Sequence, residues 1–236
     1  MSGSDKANVK TKLSQIEALL LPYNLKYLKK QQLYALVNSI RQALSSDTGA
    51  EVTPESVADF LSPCVQVFYH AMDSQRMCGM LIKNAYPQVS PLIINARHSP
   101  QAQRFTLSHE IIHYLIHPDR NYLCDTGDAR SSLEWQANEG AAELLLPYRI
   151  FIPQLCAYIQ SVNRHTGGHK PSSTELLLPY AQKYGVTLTT LQNRLTGLRY
   201  EIDQYMSGCP LESLEFLSEA ELTRRCIHVK PLFFSV

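Results

Sequence analysis

Apolar residues recur at helical spacing over most of this chain, and short alternating stretches lie only near its middle. Before residue 46 the apolar positions repeat every three or four residues, which predicts two helices separated near Pro22. Residues 65–69, 77–83 and 91–96 alternate as three short strands, and helical spacing returns from residue 100 onward. The pattern predicts an α+β fold that is mostly helical, with a small sheet of three or more strands.

Two helix starts are marked by a capping side chain followed by proline. Thr53-Pro54 begins one helix, and Ser99-Pro100 begins a longer one that we expect to run to His117 and stop at Pro118. A further helix, capped by a serine, ends at Pro147.

The helix after Ser99 carries the sequence His109-Glu110-x-x-His113. Residues four apart lie on one helix face, so both imidazoles can point at one Zn²⁺. Glu110 can then accept a proton from a water at the metal. The competing interpretation is two surface histidines beside a solvated Glu. A metal hydrolase with Glu110 as the catalytic base explains better why an apolar helix carries three ionisable groups within five residues.

A tetrahedral catalytic zinc site needs a third protein ligand, and the next helix offers three glutamates. At 100° per residue, only Glu134 shares a face with small residues that can press against the first helix. We interpret Glu139 and Glu143 as solvated charges, because they point away from that face. Asn138, one turn after Glu134, can hydrogen-bond a ligand histidine or orient the Glu134 carboxylate. Loop aspartates remain alternative third ligands, namely Asp119, Asp125 and Asp128.

Other polar residues near the two motifs have less defined roles. His117 lies one turn beyond His113, too far from His109 to share a four-coordinate site comfortably, so we interpret it as packing or as a partner of a ligand. Three residues compete as the donor that stabilises the oxyanion of a tetrahedral intermediate, and the sequence does not choose among them: Tyr148, His165 and His169.

The two motif stretches together resemble the ImmA/IrrE family of metallopeptidases. The likeness spans roughly residues 53–200 and rests on Arg104-Phe105-Thr106-Leu107-Ser108-His109-Glu110-x-x-His113-Tyr114-x-x-His117 and Glu134-x-x-Ala137-Asn138-x-x-Ala141-Ala142-Glu143-Leu144-Leu145-Leu146-Pro147.

The resemblance implies a zincin-like core with His109, His113 and Glu134 as zinc ligands and Glu110 as the catalytic base. It also implies a narrow protein substrate, a helix-turn-helix transcriptional repressor cleaved to derepress stress-response, mobile-element or prophage genes. One departure is Gly140, where the family usually has Phe. This departure predicts open space beside the site, or a helix loosened by about 1 kcal/mol.

Charge and composition limit the kinds of binding partner and the compartment that we expect. The net charge of +1 is too small to predict electrostatic binding to nucleic acid or to a membrane surface. The polar N-terminus and the absence of an apolar run near 18 residues predict neither a signal peptide nor a membrane span. Six scattered cysteines favour reduced thiols, so we expect a cytoplasmic protein. Zn²⁺ is the expected ion, although a His/His/Glu site also accepts Mn²⁺ or Fe²⁺. The oligomeric state stays open.

We divide the chain into an N-terminal helical segment (1–50), a zincin-like metallopeptidase core (51–162), a closing helical segment that resembles a helix-turn-helix (163–205) and a C-terminal tail (206–236). The N-terminal segment either docks on the core or mediates self-association. Its basic cluster could contact an acidic partner, but we favour a solvated helix end; the cluster comprises Lys26, Lys29 and Lys30.

Two alternatives to the peptidase remain at this stage. One is a metal-binding regulator or toxin-like module that acts by protein binding without turnover. The other is DNA reading by residues 175–198, which lack a basic face because the nearby basic residues are only Lys183, Arg194 and Arg199. For a peptidase, the span from Met77 to Asn95 is the candidate sheet edge to which an extended substrate would add as a strand.

Overall fold

The computed structural model describes residues 11, 14–22, 28–48, 52–83, 89–117, 122–125, 132–165 and 173–229, with only the backbone for 46–48, 122–125, 162–165 and 173. The chain forms two compact units, Met1–Leu28 with Gln32–Leu145, and Lys29–Gln31 with Leu146–Val236. None of the described helices combines the length and the apolar character that crossing a bilayer requires.

The described part of the first unit contains a four-stranded sheet, with strands β1 (Val65–His70), β2 (Met77–Leu81), β3 (Ser90–Asn95) and β4 (Tyr122–Asp125). The strand order is β1-β3-β2-β4. β1 runs parallel to β3, and β2 runs antiparallel to both β3 and β4. The α+β class and the three predicted strands are confirmed. The fourth strand lies in a stretch that we expected to be a loop.

The predicted sheet edge for substrate is wrong. The span from Met77 to Asn95 contains β2 and β3, which both pair with neighbours on each side. The reason is β4, whose residues Tyr122, Leu123 and Cys124 pair with the side of β2 that three strands alone would leave open. Within the described chain, the sheet edges belong to β1 and β4.

The described helices of the first unit are residues 14–20, Lys30–Thr48, Pro54–Leu61, Pro100–Ile116 and Ser132–Leu145. The helix Lys30–Thr48 belongs to this unit from Gln32 onward. We call Pro100–Ile116 the histidine helix and Ser132–Leu145 the glutamate helix. The cap-plus-proline starts are confirmed, because Thr53 accepts a hydrogen bond from the Ser56 amide and Ser99 accepts one from the Ala102 amide. The histidine helix ends at Ile116, with His117 as its C-terminal cap.

The helix Lys30–Thr48 packs on the glutamate helix within the first unit. Its apolar stripe is buried, comprising Leu33, Leu36, Val37, Ile40 and Leu44. The Tyr34 hydroxyl donates to Glu139, and Arg41 donates to the Leu144 carbonyl at 2.9 Å. The N-terminal segment therefore docks on the core through this helix, which was one of the two roles left open for it. Glu139 is hydrogen-bonded and Glu143 is buried, so the prediction that both are solvated is wrong.

Asn95, at the end of β3, organises the connection between β1 and β2. Its side-chain oxygen accepts hydrogen bonds from the amides of Met72 and Arg97, and its amide nitrogen donates to the carbonyls of Ser74 and Met77. A fully buried side-chain amide that makes four hydrogen bonds fixes the start of β2 relative to the end of β3.

The described part of the second unit is helical, with helices Tyr148–His165, Ser173–Tyr184, Leu188–Gly197, Arg199–Met206 and Glu219–Arg224 and a 3₁₀ turn at Leu211–Ser213. The two helices expected between 175 and 198 are present, with Gly185 at a positive φ of 59° in the turn between them. Within the predicted C-terminal tail, the described residues form this 3₁₀ turn and the short helix Glu219–Arg224. The apolar end at 231–234 lies outside the described residues.

Two basic side chains of the second unit are buried. Lys30 is 2% exposed and donates to Glu201 at 2.8 Å, so the expectation of a solvated helix end is wrong for this residue. Arg194 is 1% exposed and donates from Nε and a terminal nitrogen to the Leu146 carbonyl. Because Arg194 serves packing inside the unit, it adds nothing to a basic DNA-facing surface. Lys26 lies outside the described residues.

Candidate metal centre

His109 and His113 lie one turn apart on the histidine helix, and both imidazoles are buried. Their Nε2 atoms are 3.0 Å apart. The helix holds this geometry because Ser99 caps its first turn and the Lys83 amine donates to the carbonyls of Tyr114 and His117 in its last turn. The two side chains therefore present one ring nitrogen each to a common point.

Glu134 completes this group from the first turn of the glutamate helix. Its two carboxylate oxygens lie 3.3 Å from Nε2 of His109 and 3.2 Å from Nε2 of His113. Ligand atoms of the three residues all lie within 4.8 Å of one another. A tetrahedral zinc with bonds of about 2.0–2.1 Å has ligand atoms about 3.3 Å apart, so the spacing fits this ion.

Each histidine is held by a hydrogen-bond partner at its other ring nitrogen. Nδ1 of His109 lies 3.0 Å from the side-chain oxygen of Asn138, which can only accept, so the proton of His109 is on Nδ1. Nδ1 of His113 lies 2.8 Å from Nδ1 of His117. Metal sites commonly use such outer partners to leave the second nitrogen free for the ion. The contact that we expected for Asn138 is present.

The two motif helices approach closely at Gly140. An added Cβ at this position would meet side-chain carbons of Ile112 at 3.0 to 3.1 Å, and Ala137 and Ala141 on the same helix are fully buried. The expectation that Gly140 opens space beside the site is wrong, because the branched Ile112 fills the room that a larger residue at 140 would need. At this contact the large side chain, Ile112, belongs to the histidine helix, and the glutamate helix contributes the small residue, Gly140.

Glu110, next to His109 on the histidine helix, is fully buried. Neither of its oxygens has a hydrogen-bond partner within the part of the chain that the structure describes. Burial raises the pKa of Glu110 well above its ordinary value, and the nearby charges of Glu134 and Cys78 add to this effect. A buried carboxylate without a partner is costly for a fold, which indicates that it serves the site.

Gly79, in β2, lets the strand lie directly against the histidine helix. A Cβ at this position would lie 2.6 Å from a methyl of Thr106 and 3.5 Å from Oε1 of Glu110. The pairing of β2 with β4 shifts register between Met77 and Gly79. Our sequence reasoning missed this residue, although a lone glycine inside a strand pattern is a known sign of a bulge or a close backbone approach.

The imidazoles beside Glu134 keep its carboxylate anionic. Burial raises the pKa of Glu134, but its contacts with His109 and His113 outweigh that effect and lower the pKa to about 2. Burial is the largest effect on His113 and lowers its pKa, although the contact with Glu134 opposes the change. Burial therefore favours the neutral imidazole of His113, which is the form that binds a metal ion.

The donor set fits a divalent metal ion. Two ring nitrogens and one carboxylate face a single point, and the Nδ1 proton of His109 leaves its Nε2 lone pair free, an arrangement that a bound cation stabilises. His109, His113 and Glu134 form the group that could hold such an ion. The unpartnered carboxylate of Glu110 lies on the same helix, next in sequence to a member of that group.

Of the three competing oxyanion donors, only Tyr148 has a described side chain. Tyr148 belongs to the second unit, where its ring packs against Phe216 at 4.7 Å between ring centroids. Of His165 only the backbone is described, at the end of the helix Tyr148–His165. His169 lies outside the described residues. The same holds for Asp119 and Asp128, while Asp125 is described only by its backbone in β4.

Comparison with known proteins matches residues 65–196 to the peptidase M78 family, described as the IrrE N-terminal-like domain. The chain is also 39% identical over 67 residues to the radiation response metalloprotease IrrE of Deinococcus deserti. That match spans 26% of this chain and 24% of the relative. The family match covers both motif helices and the whole sheet.

Proposed function

We propose that this chain, which belongs to the peptidase M78 family of IrrE N-terminal-like domains, is a zinc-dependent endopeptidase. His109, His113 and Glu134 would hold the ion, and Glu110 would act as the base. The observation that carries the proposal is the convergence of three ligand atoms beside a buried carboxylate that has no hydrogen-bond partner among the described residues.

Bound Zn²⁺ would supply Lewis-acid polarisation of a peptide carbonyl and of a water molecule. Glu110 would take a proton from that water at one carboxylate oxygen, while the water oxygen forms the new bond to the carbonyl carbon. As the C–N bond breaks, the same carboxyl would give the proton to the leaving amine nitrogen. The raised pKa of Glu110, caused first by its burial, makes its carboxylate a stronger base for the proton of that water.

The substrate class follows from the family. We infer a protein substrate, in particular a helix-turn-helix transcriptional repressor whose cleavage derepresses stress-response, mobile-element or prophage genes. The resemblance of the two motif stretches supports this inference, and the name of the Deinococcus relative links that protein to a radiation response. Cytoplasmic action belongs to the same proposal.

Metal analysis tests the site directly. The purified protein, prepared without chelators and offered Zn²⁺, Mn²⁺ and Fe²⁺, should retain about one zinc per chain. Glu134→Ala should lose it, because two histidines alone complete only half of a tetrahedral site. Absence of metal from the wild type after zinc addition would overturn the zinc-peptidase proposal. Zinc retained by the variant would move the third ligand to another carboxylate.

Cleavage separates the peptidase from the alternative, a metal-binding regulator that acts without turnover. Candidate repressors incubated with the wild type should be cut, and Glu110→Gln should cut them at least about 10²-fold more slowly while it still binds metal. If Glu110→Gln keeps the full biological effect of the wild type, the protein acts by binding, and the peptidase proposal fails.

A further inference from the structure

We infer that His117 is a positioning residue for the metal centre and that it sets the affinity of the site for its ion by holding His113. The inference rests on the proposed function, since it assigns a role only in a site that binds metal. It goes beyond the ligand set, because His117 contributes no atom to the group formed by His109, His113 and Glu134.

The contact is short and buried. Nδ1 of His117 lies 2.8 Å from Nδ1 of His113, the ring centroids are 4.9 Å apart, and the two residues are 4% and 0% exposed. Nε2 of His113 faces His109 and Glu134 and cannot carry a proton while it binds a metal. The proton of His113 is therefore on Nδ1, and His117 accepts it. His117 in turn carries its own proton on Nε2.

The surroundings of His117 hold it in place. Its side chain is buried, and its ring packs against the ring of His113. Lys83 donates to the His117 carbonyl and fixes the backbone from which the ring projects. An imidazole at a fixed position can accept the proton of His113 through its ring nitrogen.

The two ligand histidines are thus oriented by acceptors of different chemistry. His109 donates to an amide oxygen on the glutamate helix, whereas His113 donates to an imidazole at the end of its own helix. Loss of such an outer partner typically reduces metal affinity or activity by about 10- to 100-fold, because the ligand ring loses its orientation and basicity.

The test measures the affinity of the full chain for Zn²⁺ alone, by competition with a chromogenic chelator at pH 7. His117→Phe keeps the ring volume but accepts no proton, so it should bind zinc about 10- to 100-fold more weakly. His117→Asn places an oxygen near the former Nδ1 and should remain within about threefold of the wild type. Leu115→Ala, which removes a buried side chain from the same helix, controls for lost packing and should leave the affinity unchanged.

Unchanged zinc affinity in His117→Phe, or equal losses in the Phe and Asn variants, would overturn the inference while the proposed function stands. No zinc binding by the wild type would overturn both. If His117→Phe does not fold, His117→Gln replaces it, because its oxygen lies nearer the former Nε2, and the Asn variant should then bind more tightly than the Gln variant. As a spectroscopic check, the slowly exchanging Nδ1 proton of His113 should be visible by NMR in the wild type and Asn variant.

Discussion

Glu110→Gln is expected to stabilise the metal-free protein even as it removes the proposed base. The Glu110 carboxylate is fully buried and has no hydrogen-bond partner among the described residues. An unsatisfied buried polar group costs about 1–3 kcal/mol, and a charged one costs more. Gln keeps the shape but carries no charge, so we expect a gain of at least about 1 kcal/mol at pH 8. For a protein of this size, about 1 kcal/mol raises Tm by about 2–4 °C.

The gain should depend on pH with a definite sign. The pKa of Glu110 in the folded protein is raised well above its ordinary value of 4.5, so the folded state holds this proton more tightly than the unfolded state. The stability that the protonated carboxyl contributes is complete below the unfolded pKa and is lost as pH rises through the folded pKa. The advantage of Gln is therefore small near pH 4.5 and larger at pH 8.

The assay is urea unfolding at both pH values with a chelator present, for the wild type and Glu110→Gln. Glu143→Gln is the matched control. Glu143 is also buried on a motif helix but interacts with its neighbours, so its replacement should not stabilise the protein. A free energy of unfolding for Glu110→Gln at pH 8 that equals or falls below the wild-type value would refute the picture of an unpartnered buried carboxylate.

Three further substitutions test contacts described above. Gly79→Ala places a methyl 2.6 Å from the Thr106 methyl, so we expect a loss of about 1–3 kcal/mol in thermal unfolding, with part of it restored when Thr106→Ser is added. Lys30→Met leaves Glu201 buried without its ion-pair partner and should cost about 3–5 kcal/mol, whereas the double variant Lys30→Met/Glu201→Gln should recover most of that loss in urea unfolding. Arg194→Met removes two buried hydrogen bonds to one carbonyl and should destabilise by about 2–3 kcal/mol, and an unchanged midpoint would contradict its structural role.

The parts of the site that helical periodicity controls could be predicted from the sequence. A period of 3.6 residues places His109 above His113 and Glu134 one turn before Asn138, so local geometry alone brings each pair to one face. The structure shows that those two faces meet. The imidazole contact of His117 with His113 follows from the same period, because the two residues are four apart.

Features that depend on a distant surface could not be predicted in this way. β4 has four residues and is a strand because β2 offers it an unpaired side. Glu143 appears solvated when only the metal-site face of its helix is considered, but its side chain is buried in the structure. Local pattern shows that a surface is amphipathic, and it does not show which other segment covers it.

The contact between Gly140 and Ile112 also constrains the order in which mutations can accumulate. A chain with Phe at 140 would hold its bulk on the glutamate helix and would need a smaller residue at 112, so the two arrangements differ by a coupled exchange of volume. A chain that acquires Phe at 140 first passes through an overpacked intermediate next to His113. A chain that first shortens Ile112 passes through a cavity, which costs stability but pushes no side chain aside. Divergence between the two arrangements is therefore expected to proceed through the cavity, and ancestral sequences should retain small residues at both positions.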